Sequence, residues 1–178
     1  MDRKSFLKLS AASIVAMHTE GVQAKIFDTA AQASDGLLVR FLGTGAADWN
    51  GIDSRGEHRR LSSVLLDSRT LVDLTPSCLD KIPAGVQPDT IIYTHSHGDH
   101  FCPETVVRLC RDRDCTLWCS PECMKVLGEK LGSDGVFGIN FRSTEIGKTY
   151  DIDGYAVTPL RANHFATPGE MARTYLVE

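Results

Sequence analysis

Four side chains able to ligate a metal stand within six residues: His95, His97, Asp99 and His100, in the run Thr94-His95-Ser96-His97-Gly98-Asp99-His100. Imidazole nitrogens and carboxylate oxygens are donors that suit a divalent cation such as zinc. With six histidines in 178 residues, such a density is not scatter. The spacing also excludes regular structure. On a helix His95 and His97 would point about 200° apart, and in a strand Asp99 and His100 would face opposite sides. The run is therefore a loop. Gly98 gives it the freedom for a tight reversal, which lets one pair of ligands serve one ion and the other pair a neighbouring ion. His164 stands alone, after a strand and before Thr167-Pro168-Gly169. A lone histidine is more often structural than ligating, yet His95 and His97 lack a third protein ligand and catalytic zinc commonly takes three. The bland alternative is a histidine-rich surface loop with Asp99 capping the next helix.

The elements that must carry these residues read as strands alternating with helices, an α/β pattern. Residues 37–42 form a mostly buried strand ended by Gly43-Thr44-Gly45. A dinucleotide loop would need a third glycine where Asp48 stands and a helix after it, so that fingerprint fails. A polar loop runs to about residue 60. Residues 62–66 and 71–73 are strands turning at Asp67-Ser68-Arg69. Ile91-Ile92-Tyr93 is a short β-rich run that delivers the chain into the histidine loop. Pro103-Glu104 opens a helix to about residue 111. Residues 116–118 are a strand, and Ser120-Pro121-Glu122 caps a helix to about residue 131. A hairpin at Asp153-Gly154 pairs 149–152 with 155–160, its second arm running on to His164, and 173–177 is a further strand.

Bulk properties bound the function. A chain that is 42% hydrophobic and 24% charged has the composition of one ordinary folded domain. A net charge of -4 provides no basic field for nucleic acid, and no stretch approaches the roughly 20 apolar residues of a membrane-spanning helix. Residues 1–24 differ from the rest. Arg3-Lys4-Ser5-Phe6-Leu7-Lys8, an apolar stretch, and small residues at Val22-Gln23-Ala24 read as a twin-arginine-like export signal with Lys4 in place of the second arginine. Export to the periplasm is the expectation, and an amphipathic N-terminal helix in a cytoplasmic protein is the alternative. Residues 25–36 then form a linker and 37–178 the domain. An oxidising compartment could pair the six cysteines, but their spacings lack C-x2-C knuckles and several fall on apolar phases, which favours buried thiols. Arg55, His58, Arg59 and Arg60 could hold a phosphate or carboxylate. Glu57 dilutes that charge, and a solvated polar loop is the other reading. Arg108, Arg111 and Arg113 alternate with Asp112 and Asp114 as a self-neutralising helix end.

The Thr-His-Ser-His-Gly-Asp-His run resembles the His-x-His-x-Asp-His signature of the metallo-β-lactamase superfamily. Phe41-Leu42-Gly43-Thr44-Gly45 is similar to the first strand of its tRNA 3′-processing endonucleases and cyclic phosphodiesterases. Leu71-Val72-Asp73 resembles its first motif, an aspartate that orders the histidine loop, and His164 matches the isolated histidine of its third motif. The resemblance implies a four-layer αβ/βα sandwich, here the N-terminal half only. It assigns a first metal to His95, His97 and His164 and a second to Asp99 and His100. One or two zinc ions are implied, with iron or manganese as other occupants, and Asp73 stands behind the ligands. The implied chemistry is hydrolysis of a small phosphodiester or other ester, in which the ion lowers the pKa of bound water toward about 7, with Asp99 orienting that water. Two further motifs, a metal-bridging aspartate and a final histidine, are expected beyond residue 178. The inner face of the half-sandwich is expected to be an apolar patch, covered by more chain or by a second copy. Three functions stay open: a zinc hydrolase, an inactive metal-binding half-domain that serves association, and a mononuclear iron oxygenase acting on persulfides.

Overall fold

The computed structural model describes residues 36–45, 60–165 and 169–178, together with Leu7–Leu9 and the single positions Ile52, Ser54 and Gly56. Six strands form one sheet in the order β2 (Val39–Gly43), β3 (Ser63–Leu66), β4 (Thr70–Val72), β5 (Thr90–Ile92), β6 (Thr116–Cys119) and β7 (Phe141–Ser143). The β2, β3 and β4 strands run antiparallel and β4 to β7 parallel. The second sheet, in the order β1 (Leu7–Leu9), β10 (Met171–Val177), β9 (Tyr155–Phe165) and β8 (Tyr150–Ile152), is antiparallel throughout. Its β1 lies inside the segment that has the sequence features of an export signal; the remainder of residues 1–24 lies outside the described residues.

Side-chain alternation decides the layers. Leu65, Leu71, Ile91 and Leu117 point to one face of the six-stranded sheet and pack beneath Phe101, Val106, Leu109 and Leu127. Phe101 directly follows the histidine loop, Val106 and Leu109 belong to the α1 region (Pro103–Val106, continued by a π turn over Val107–Arg111), and Leu127 belongs to α2 (Pro121–Val136). Val64, Leu66, Val72 and Ile92 point to the other face and meet Ile152, Val157, Tyr175 and Val177 of the second sheet. Strands buried on both faces are expected to be apolar at every position, and parallel strands usually are. The sequence expectation of an open inner face is therefore corrected: β8, β9 and β10 fold back over it, so the apolar face is covered within the chain.

Local differences from the expected elements have physical reasons. The α2 helix meets Gly132 at φ 73°, just past the expected end, and a short tail carries it to Val136. A 3-10 turn over Pro76–Lys81 and the short β7 were not anticipated, because neither shows an apolar period. Cys78, Cys110, Cys115, Cys119 and Cys123 are buried free thiols, as their apolar phases predict. Among the described residues no helix is long and apolar enough to cross a membrane.

The turn of the second sheet is tied to the first. Asp153 (φ 54°) and Gly154 (φ 90°) make the tight β8–β9 turn, a conformation suited to Asp-Gly. The Asp153 carboxylate accepts hydrogen bonds from the buried hydroxyls of Thr70 and Thr90, at the starts of β4 and β5. Asp153→Ala would leave both hydroxyls unpaired and place alanine at positive φ. We expect a loss of about 2 kcal/mol, within the range for stranding buried polar groups, measured by urea unfolding. A change below about 0.5 kcal/mol would show that the tie contributes little.

Candidate metal centre

The site is built at the exits of β4 and β5. Beyond Ile92 the chain continues through Tyr93, whose amide bonds the Trp118 carbonyl at 3.0 Å. The buried Tyr93 hydroxyl donates to the Leu74 carbonyl at 2.8 Å, and its ring meets Phe101 edge-on. From the second sheet, Tyr175 donates to the Tyr93 carbonyl at 2.9 Å; burial holds its phenol pKa above the ordinary value, so it stays a neutral donor. The entry to the histidine loop is thus anchored from both faces of the sheet. The loop closes on itself where the amides of His100 and Phe101 both bond the His97 carbonyl, at 2.9 and 2.7 Å.

Asp73 follows β4 directly and adopts φ 52°, a left-handed conformation that aspartate tolerates better than most residues. Its amide bonds the Ile92 carbonyl at 2.9 Å, so the kink turns the carboxylate toward the exit of β5. Its Oδ1 accepts the Thr94 amide at 2.8 Å; its Oδ2 accepts the Thr94 hydroxyl at 2.7 Å and His100 Nδ1 at 2.9 Å. The Thr94 hydroxyl spends its single proton on Asp73, so toward His95 Nδ1, 2.8 Å away, it can only accept. His95 therefore carries its proton on Nδ1 and keeps Nε2 free as a donor to a cation, while His100 donates from Nδ1 to Asp73. Burial, seconded by the neighbouring His100, lowers the His95 pKa to about 4, so this imidazole is neutral at physiological pH. Burial also pushes the His100 pKa down, but the bond and charge of Asp73 outweigh it and leave it raised.

His164, near the end of β9, comes to the loop from the other sheet. The ligand nitrogens of His95, His97 and His164 lie within 4.8 Å of one another, and His164 Nε2 is 3.1 Å from His97 Nδ1. Nitrogens bound about 2.0–2.1 Å from one tetrahedral zinc are about 3.3 Å apart, so the three imidazoles fit a single divalent ion. His100 Nε2 faces Asp99 Oδ2 at 3.2 Å, and the His95 and His100 rings are 4.4 Å apart. Asp99 and His100 therefore form a facing pair beside the triad. All five sequence-predicted ligands, with Asp73 behind them, are brought together.

The arginine loop is another matter. Arg55, His58 and Arg59 lie outside the described residues. Arg60 turns to the 3-10 turn, donating to the Ser77 carbonyl and pairing with Asp80 at 2.7 Å. Sequence reasoning missed Thr94, Ser96 and Glu170. Glu170, fully buried, accepts a hydrogen bond from Ser96; in sequence it is only an acid ahead of an alternating strand.

Solved structures share this fold at low identity. A diphosphatase of the PhnP family superimposes with a TM-score of 0.58 at 20% identity, over 80% of this chain and 62% of that one. The metallo-beta-lactamase fold protein YhfI from Bacillus subtilis gives 0.57 at 15%, over 80% and 58%. The flavodiiron protein from Giardia intestinalis gives 0.55 at 17%, over 82% and 36%. The chain thus spans about three fifths of the length of the first two. Among curated proteins no sequence match is found. The sequence pattern of the beta-lactamase superfamily domain matches residues 68–177, the span that holds Asp73, the histidine loop and His164, and the chain belongs to that superfamily.

Proposed function

We propose that the chain is a zinc-dependent hydrolase of phosphodiesters or related small esters. The observation that carries this reading is the convergence of His95, His97 and His164 within 4.8 Å, beside the Asp99–His100 pair. The phosphoester class draws support from the diphosphatase named among the structures of the same fold.

In this reading His95, His97 and His164 hold the first ion and Asp99 with His100 a second. A bound divalent cation would supply Lewis acidity and lower the pKa of a water it holds toward neutrality. Asp73 acts through Thr94 to keep Nε2 of His95 unprotonated, and its bond to Nδ1 orients the His100 ring. Asp99, half-buried, accepts a hydrogen bond from the attacking water and turns its lone pair toward phosphorus. A new P–O bond forms to that water, the ester P–O bond breaks, and the alcohol leaves carrying a proton. His95 and His100 are buried, whereas His97, Asp99 and His164 open toward solvent, where a substrate can reach them.

Metal titration together with turnover of bis(p-nitrophenyl) phosphate tests the proposal. His97→Ala and His164→Ala should each weaken zinc by more than about 100-fold, beyond what loss of an outer-shell partner costs, and turnover should fall with it. Bound zinc without turnover across several ester classes would replace the hydrolase by a metal-binding half-domain. Iron as the native metal would favour an oxygenase.

Asp73→Asn should act at one remove. The amide's oxygen cannot take on all three of the bonds that the carboxylate accepts, so zinc affinity should drop about 10- to 100-fold while the far-ultraviolet circular dichroism stays that of the folded chain. An unchanged dissociation constant would remove Asp73 from its orienting role.

A further inference from the structure

Glu170 stands between Gly169 and the first residue of β10 and has no exposed surface. A carboxylate buried this way is costly unless its oxygens are satisfied, and they are shared between two elements. Its Oε2 accepts the hydroxyl of Ser96, the residue between His95 and His97. Its Oε1 accepts the Ser120 hydroxyl at 3.2 Å and the Cys123 thiol at 3.1 Å. Ser120 is the cap of α2, its oxygen accepting the Cys123 amide at 2.8 Å, so the carboxylate sits against the positive end of that helix. The Cys123 pKa is pushed up by its Cys119 partner and by burial, which keeps it a thiol able to donate.

Position gives this carboxylate its meaning. Met171, the next residue, pairs with Phe165, the neighbour of His164. A second bond joins the same strand to the loop, from the Arg173 amide to the Thr94 carbonyl at 3.0 Å. The three bonds of Asp73 go to Thr94 and His100; Ser96 and His97 lie past Thr94. Glu170 reaches the loop at that point, from the strand hydrogen-bonded to the one carrying His164.

We infer that Glu170 is a positioning residue and the second anchor of the histidine loop: through Ser96 it sets His97 against His164, as Asp73 sets His95 and His100. This rests on the metal-site reading proposed above and on no step of hydrolysis. A carboxylate that merely stabilised α2 would affect folding and leave the loop alone, so the two roles separate experimentally.

The test compares the full chain with Ser96→Ala, which breaks only the link, Glu170→Gln, and Asp153→Ala as a destabilised control remote from the loop. Amide hydrogen exchange over residues 95–98 is read in the metal-free protein, and Co2+ affinity and its ligand-field absorption in the loaded one. We expect Ser96→Ala and Glu170→Gln to speed loop exchange about tenfold, to weaken Co2+ about 10- to 100-fold and to alter the absorption, whereas Asp153→Ala does none of these. Loop exchange and Co2+ affinity unchanged in Ser96→Ala would overturn the inference, and that variant decides alone if Glu170→Gln does not fold. A wild-type chain that takes up no Co2+ would remove the metal-site reading instead, and the exchange comparison would still decide whether Glu170 anchors the loop.

Discussion

The carboxylate of Asp73 is the constraint on which the site depends. One group, held in a left-handed turn after β4, accepts the amide and hydroxyl of Thr94 and the Nδ1 proton of His100. Those bonds set the tautomer of His95, the orientation of His100 and the start of the loop together. Its burial makes each bond stronger than the same bond in water, and would make any missing partner expensive.

Around that group the architecture does what parallel strands do well. The exits of β4 and β5 lie side by side because Leu71 and Val72 are in register with Ile91 and Ile92, so consecutive motifs in the chain become neighbours at one end of the sheet. The antiparallel sheet contributes from the other side, bringing His164 on β9 and Glu170 immediately before β10. The centre is a seam between two sheets. It therefore depends on the apolar face shared by Val64, Val72, Ile92, Val157 and Tyr175 as well as on its ligands.

Much of this was legible beforehand because the determining patterns are local. The short apolar run before Thr94, the turn at Asp67-Ser68-Arg69, the cap at Ser120 and the hairpin at Asp153-Gly154 each follow from neighbouring residues, and each is present. The short β7 was not legible, since Phe141-Arg142-Ser143 has neither alternation nor a bounding turn signal and is held by β6 alone. The inner apolar face expected to be open in a half-sandwich is covered instead by the second sheet. Nothing within β9 and β10 tells which sheet they will cover, and packing the hairpin back is a long-range choice.

For the site the division is similar. Residue types and spacing alone determined that residues 95–100 form a loop carrying four potential metal donors, because no helix or strand could aim those four groups together. Which partners complete it was decided only by the tertiary fold. His164 comes from 64 positions beyond His100 on another sheet, and Glu170 is an undistinguished acid until burial takes away water and obliges it to find Ser96, Ser120 and Cys123. Sequence carries the chemistry of donors; desolvation and long-range packing decide which distant groups must satisfy one another.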